Sequence, residues 1–295
     1  MSHALDGLLA DLIASIEAGA PPWRQPWSLS GDPGVPLRST GEPFTGSNAW
    51  SLAFAGALAG HASPYWFTFA QALGLGAPVR KGERSSPALL YQTAGQPNVE
   101  DPDDPASAEP GRFRRFLKVY AVFNAEQLTD CPERYLAPPQ VDPERRREVQ
   151  DAVLDAVPAT VVIGGDRAFY APARDTVHLP PPERFTSAEE FRATKAHELV
   201  HWTGAPHRLA RAFGQRFGDQ AYAFEELVAE IGAALLGLRV GLRPQTLDAH
   251  AGYLAQWVKI LKARPNALLE ASALAQKAVD HLLAYSADAE VARAA

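Results

Sequence analysis

His197, Glu198 and His201 stand in the run HELVH. Two histidines four positions apart on a helix share one face about a turn apart, so both imidazoles can reach a single cation. Glu198 between them can then touch a water on that cation, which is the arrangement a hydrolytic zinc centre requires. The bland alternative is two surface histidines on a helix. Against it, Ala193, Ala196, Leu199, Val200 and Trp202 leave little polar surface on that helix, so the motif is expected to be buried.

A third ligand is needed, and two segments offer one. HELVHWTGAPH fits H-E-x-x-H-x-x-G-x-x-H, the metzincin pattern, which would make His207 the ligand. Metzincins place a methionine turn beneath the metal, however, and the only methionine here is Met1. The other segment is AYAFEELVAEIGAALLGL (221–238). Its apolar and small side chains surround the whole helix, yet it carries Glu225, Glu226 and Glu230. Buried carboxylates are costly unless paired, hydrogen-bonded or bound to metal, and Glu226 and Glu230 lie only about 40° apart on the helical wheel. The expectation is Glu226 as ligand with Glu230 orienting a ligating histidine, or the reverse. A structural ion pair with Arg208, Arg211 or Arg239 is the competing reading.

These residues need elements to hold them. Leu5, Leu8, Leu9, Leu12, Ile13 and Ile16 predict an amphipathic helix over 3–18, ended near Gly19. Short helices are expected at 48–60 and 67–74, and strands at 86–92 and 113–124. Between those strands, the acidic, Pro-rich segment 95–111 reads as an exposed loop. Segment 128–143 is taken as the boundary between a domain of residues 1–135 and one of residues 142–295. Beyond it, Asp142 and Pro143 open a helix. Strands follow at 160–165 and within 168–180, the latter with a turn around Arg174 and Asp175. Thr186 or Ser187 caps the HELVH helix, and three more helices are expected at about 219–238, 246–263 and 265–285.

The 295 residues, 46% hydrophobic and 21% charged, exclude gross disorder and can bury a core without disulfides or a structural metal. Any metal site is therefore suspected of doing chemistry. Cys131 is the only cysteine, so neither an intramolecular disulfide nor a Cys-based zinc site can form within one chain, and a reducing, cytoplasmic setting fits. Asp6, Asp11 and Glu17 break any signal-peptide core near the N-terminus, and no run reaches the length of a membrane span, so no membrane partner is expected. A net charge of −6 gives no global attraction to polyanions.

HELVHWTG followed by HRLAR, then YAFEELVAEIGAALLG and YLAQWVKILK, closely resembles the ArdC-type antirestriction proteins of conjugative plasmids, related to the TraC-type primase N-terminal region. PPWRQPW, STGEPFTGSN, WFTFAQALGLGAPVRKGERS and VYAVFNAEQL are similar to that family's first domain. The resemblance spans nearly the whole chain. It implies an α+β protein: a small α+β N-terminal domain binding single-stranded DNA, then a zincin-like, SprT-like metallopeptidase domain with a short sheet and active-site helices. It also implies a metal held by His197, His201 and one of Glu225, Glu226 or Glu230. His207 and the acidic 95–111 segment depart from the family pattern.

Residues 1–135 carry 10 basic against 14 acidic side chains, so any DNA contact must be local. Two clusters stand out: Arg80, Lys81 and Arg84, and Arg112, Arg114, Arg115 and Lys118 interleaved with Phe113 and Phe116. Neutralising charge beside aromatic faces is what single strands require, and Trp23, Trp27, Trp50 and Trp66 are candidate stacking platforms. The competing reading makes these aromatics core and the charges a strand's solvated face. The functional expectation is peptide hydrolysis at Zn2+, or another divalent metal, with Glu198 as base and the Thr176–Leu179 strand aligning an extended substrate. The alternatives are a DNA-coating binder whose metal is only structural, and a peptidase whose first domain docks a protein partner.

Overall fold

A computed structural model of the chain describes residues 3–19, 34–93, 115–136, 142–214, 220–242 and 254–286. The fold is α+β. In the first half α1 (His3–Glu17) precedes β1 (Leu37–Arg38), α2 (Gly46–Ala59), β2 (Tyr65–Thr68), α3 (Phe69–Gly74), β3 (Ser86–Thr93) and β4 (Arg115–Asn124). The sheet has order β1-β2-β4-β3, with β1 and β2 parallel and the other pairs antiparallel. Phe67 and Thr68, expected in a helix, are the last residues of β2 instead: Thr68 caps α3 by accepting from Gln71 N, with the Gln71 side chain returning the bond. Segment 95–111 lies outside the described residues.

The second half runs α4 (Pro143–Asp155), β5 (Thr160–Ile163), β6 (Phe169–Ala171), β7 (Thr176–Leu179), α5 (Ala188–Thr203), α6 (Gln220–Val240), α7 (Leu254–Ala263) and α8 (Ala267–Leu283). Asp142 caps α4 by accepting from Glu144 N, with Pro143 in the first turn. β6 and β7 form a hairpin turning at Asp175, whose φ of 51° is the left-handed conformation such a turn demands. β7 lies in the middle of the order β5-β7-β6.

One hydrophobic cluster draws on both halves: Leu12 and Ile16 of α1, Trp50 and Leu52 of α2, and Leu227, Ile231, Trp257 and Val279 behind them. Ala267, Ala271, Ala275 and Ala278 of α8 are fully buried, and such small side chains let neighbouring helices approach closely. Two polar contacts cross the same seam: Trp50 Nε1 donates to Ser272 Oγ at 3.0 Å, and Gly46 N donates to Gln276 Oε1 at 2.7 Å.

Candidate metal centre

α5 is started by Ser187, whose hydroxyl accepts from Glu190 N, with Glu189 and Glu190 in the first turn where acidic charge suits the helix dipole. Its second half is enclosed: His197, Glu198 and His201 are 2%, 6% and 7% exposed. α6 passes against it closely. A Cβ at Gly232 would stand 2.8 Å from Val200 Cγ1, so glycine there sets how near the two helices come.

The buried faces converge. His201 Nε2 lies 3.2 Å from His197 Nε2 and 3.6 Å from Glu226 Oε1, and His197 Nε2 lies 3.7 Å from Glu226 Oε2. Nitrogen and oxygen atoms about 2.0–2.1 Å from a tetrahedral ion sit roughly 3.3 Å apart. The three separations straddle that spacing, and two imidazole nitrogens with one carboxylate suit a divalent cation of the zinc type. Among the described residues these three form the cluster able to hold a metal.

Glu225 stands behind one of the ligating histidines. Its Oε1 lies 3.1 Å from Nδ1 of His201, on the far side of the ring from Glu226. Arg211 grips it, Nε to Oε2 at 2.9 Å and Nη2 to Oε1 at 2.8 Å, and also donates to Thr203 Oγ1 and to the Val200 carbonyl, both at 2.7 Å. Burial raises the Glu225 carboxyl, but the bonds from His201 and Arg211 outweigh it and hold it below the usual carboxylate range. For His201 burial opposes charge, yet the Glu225 hydrogen bond and the charges of Glu226, Glu225 and Glu198 hold its pKa up at about 9. That is a field favouring positive charge. The chain reaches Arg211 by folding back at Gly204, where a Cβ would meet Phe213 at 2.7 Å and the Arg211 guanidinium at 2.9 Å.

The other candidates are placed differently. Glu230 is buried one turn beyond Glu226 and is outside the three-residue cluster. His207 is also outside it: its exposed ring pairs with Asp175 at 3.3 Å, which removes the metzincin reading. Arg208 pairs with Asp175 as well and stacks on Trp202, 3.7 Å from the ring centroid. The strand Thr176–Leu179 cannot align a substrate, because β5 and β6 occupy both its edges. Among the described residues the open edges belong to β5 and β6, and β6 is the one tied to the centre, through Tyr170 against Phe213 and Phe213 against His201.

In the first half, Lys81 and Arg84 are exposed, while Arg80 is engaged by Glu83 at 2.7 Å and by the Leu128 carbonyl at 3.3 Å. Lys118 is half-buried on β4. Arg115 and Phe116 belong to β4, and Arg112, Phe113, Arg114, Trp23 and Trp27 lie outside the described residues. Trp50 and Trp66 are core, 1% and 3% exposed, and so are not stacking platforms. Phe69, 57% exposed on α3, is an aromatic that periodicity could not pick out in so short a helix.

Residues 148–274 match the model of a zincin-like metallopeptidase, and residues 4–123 match that of the N-terminal domain of the anti-restriction factor ArdC. The fold and the two-histidine, one-glutamate cluster thus define a zincin-like metallopeptidase domain behind an ArdC-type first domain. Crystal structures of the antirestriction ArdC protein from plasmid R388 superpose with TM-scores of 0.78 for its metal-free form and 0.77 for its Mn(II)-bound form. They are 39% and 38% identical in sequence, and each comparison covers 97% of this chain and 99% of that one. The uncharacterized protein y4eC of Sinorhizobium fredii is 32% identical, with 95% of this chain and 92% of that protein covered. The chain belongs to the ArdC family of antirestriction proteins. It also aligns with a DNA primase TraC of Escherichia coli at 37% identity, but spans only 26% of that protein's length. Among the described residues no helix is long and apolar enough to cross a membrane.

Proposed function

We propose that this chain is a zinc-dependent peptidase of the antirestriction type, with residues 142–295 carrying the hydrolytic centre and residues 1–135 binding single-stranded DNA. The carrying observation is the convergence of His197, His201 and Glu226 beside Glu198 on adjoining buried helices. A zinc ion held there supplies Lewis acidity and brings a water's pKa toward about 7. His197 and His201 present Nε2, and Glu225 fixes the His201 ring so that this nitrogen faces inward. Glu198 takes the proton from the attacking water and returns it to the leaving amine. In the first half, Lys81, Arg84 and the Arg112–Lys118 cluster supply charge for the DNA backbone.

The test is Glu198→Gln. The variant retains the metal and loses cleavage of an unfolded protein such as casein; cleavage at the wild-type rate rules out Glu198 as the base. One observation favours a second reading, in which the metal only stiffens a DNA-coating protein: all four residues are under 8% exposed. Under that reading a folded His197→Ala variant keeps full antirestriction activity, and under the peptidase reading it does not.

A further inference from the structure

A cavity of about 390 Å³ opens where the first half meets α8. That volume lies within the range of small-molecule sites. Its rim is built from the STGEPFTGSN segment, whose chemistry the metal centre does not use: Thr45, Gly46, Ser47 and Asn48 line it, with Arg38 just upstream. α8 supplies Ser272, Ala273 and Gln276 on the opposite wall, and Leu89, Leu90 and Leu269 supply apolar surface. Among the described residues no carboxylate lines it, although the chain carries 34 acidic residues against 28 basic ones.

The walls are fixed rather than loose. Asn48 spans the edge of β3, donating to the Leu89 carbonyl at 2.7 Å and accepting from Leu89 N at 2.8 Å. Gln276 accepts from Gly46 N, Ser272 accepts from the Trp50 indole, and Arg38 lies over the Phe44 ring, 4.9 Å from its centroid. An arginine, hydroxyl-bearing residues and leucines around one cavity match a ligand with an anionic end and a flat, weakly polar body.

We infer that this cavity holds one nucleotide unit, its phosphate toward Arg38 and the Thr45 and Ser47 hydroxyls and its base against Leu89, Leu90 and Leu269. The inference deepens the single-stranded DNA reading above and rests on it for the strand as a source; a free nucleotide offers the same chemistry. Because the walls come from both halves, occupancy also ties α2 to α8.

The test is binding of dTMP, thymidine and the decamer (dT)10 to the full chain, its Arg38→Ala variant and its Ala273→Glu variant. Ala273 is an exposed helical position, so the second variant keeps the fold while placing a carboxylate in the wall. Both variants weaken binding by about tenfold or more, the effect of one lost charge-assisted contact. Arg38→Ala also flattens the salt dependence of (dT)10 binding by about 0.7 in the log–log slope. Binding of dTMP but not thymidine, lost in both variants, identifies a nucleotide site; sensitivity of (dT)10 alone identifies the strand as the source. Wild-type binding of (dT)10 that neither variant changes overturns the cavity and leaves the DNA reading standing. Failure of the wild-type chain to bind either dTMP or (dT)10 overturns both.

Discussion

Nδ1 of His201 lies 3.1 Å from Oε1 of Glu225, and this contact decides which ring nitrogen faces the cluster. With Nδ1 paired to a carboxylate, Nε2 is the nitrogen turned toward His197 and Glu226, free to ligate once a cation displaces its proton. Adjacent glutamates thereby do different work, since residues i and i+1 of a helix point about 100° apart. Glu226 meets the ligand nitrogens, while Glu225 passes behind the ring to Arg211.

Glu225→Ala is therefore expected to weaken zinc binding by about 10- to 100-fold while leaving the three ligand atoms present. Competition with a calibrated chelator measures this directly. It also removes the carboxylate partner of a buried guanidinium, so among the described residues Arg211, 8% exposed, keeps Thr203 Oγ1 and the Val200 carbonyl as acceptors. Breaking a buried pair from one side costs about 3–5 kcal/mol. Pairing the change with Arg211→Met is expected to recover part of that stability in urea titrations, but none of the zinc affinity.

Gly232→Ala probes the spacing of the two helices. Alanine gains about 1 kcal/mol in helix propensity over glycine. Its methyl, however, would stand 2.8 Å from Val200 Cγ1 and 3.0 Å from Cγ2, and Val200 is fully buried and β-branched, so it strongly favours a single helical rotamer. Overpacking of this kind costs about 1–3 kcal/mol, so the net effect is destabilising. Separating α5 from α6 also draws Glu226 from the histidines, so zinc affinity and thermal stability fall together. A variant as stable as wild type would mean that the helices slide apart without cost.

Much of this was legible because periodicity is local. The 3.6-residue repeat of 3–18 yields α1, and His197, Glu198 and His201 sit together because four residues make about one turn. What was not legible depends on distant pairing. β1 is two residues long and exists through Tyr65 and Trp66 on one side and the Pro43 bridge on the other, and Thr176–Leu179 became a central strand through partners on both sides. The choice among Glu225, Glu226 and Glu230 turns on the rotation of α6 about its own axis. That rotation is set by contacts such as Val200 on Gly232, and a helical wheel does not contain it.

Metal content separates the carboxylates without reference to cleavage. Purified Glu226→Ala is expected to lose stoichiometric zinc, whereas His207→Ala keeps it, since His207 is paired with Asp175 and stands outside the cluster. Glu230→Ala is expected to keep it too, the residue lying a turn further along α6. Zinc lost from the Glu230 variant and kept in the Glu226 variant would reverse the assignment.

Acid should loosen the β6–β7 turn before most of the fold. Asp175 accepts from Tyr170 Oη at 2.8 Å and from Arg208 Nη1 at 3.0 Å, with a second contact to Arg208 Nη2. The Arg208 hydrogen bonds, against opposition from burial and with help from Tyr170, hold its pKa down at about 2. An unfolded aspartate titrates near 3.9, so between about pH 4 and 2 the unfolded chain binds a proton that the folded chain refuses. The stabilisation is complete above the unfolded value and disappears as pH falls through the folded one. Because the Asp175 side chain is 39% exposed, solvent and salt screen the effect, and it should shrink at high ionic strength. Melting temperatures of wild type and Asp175→Asn, compared from pH 5 to pH 2, are expected to converge toward the acid end. Curves that stay parallel throughout would show that the Asp175–Arg208 pair contributes nothing to stability that pH can remove.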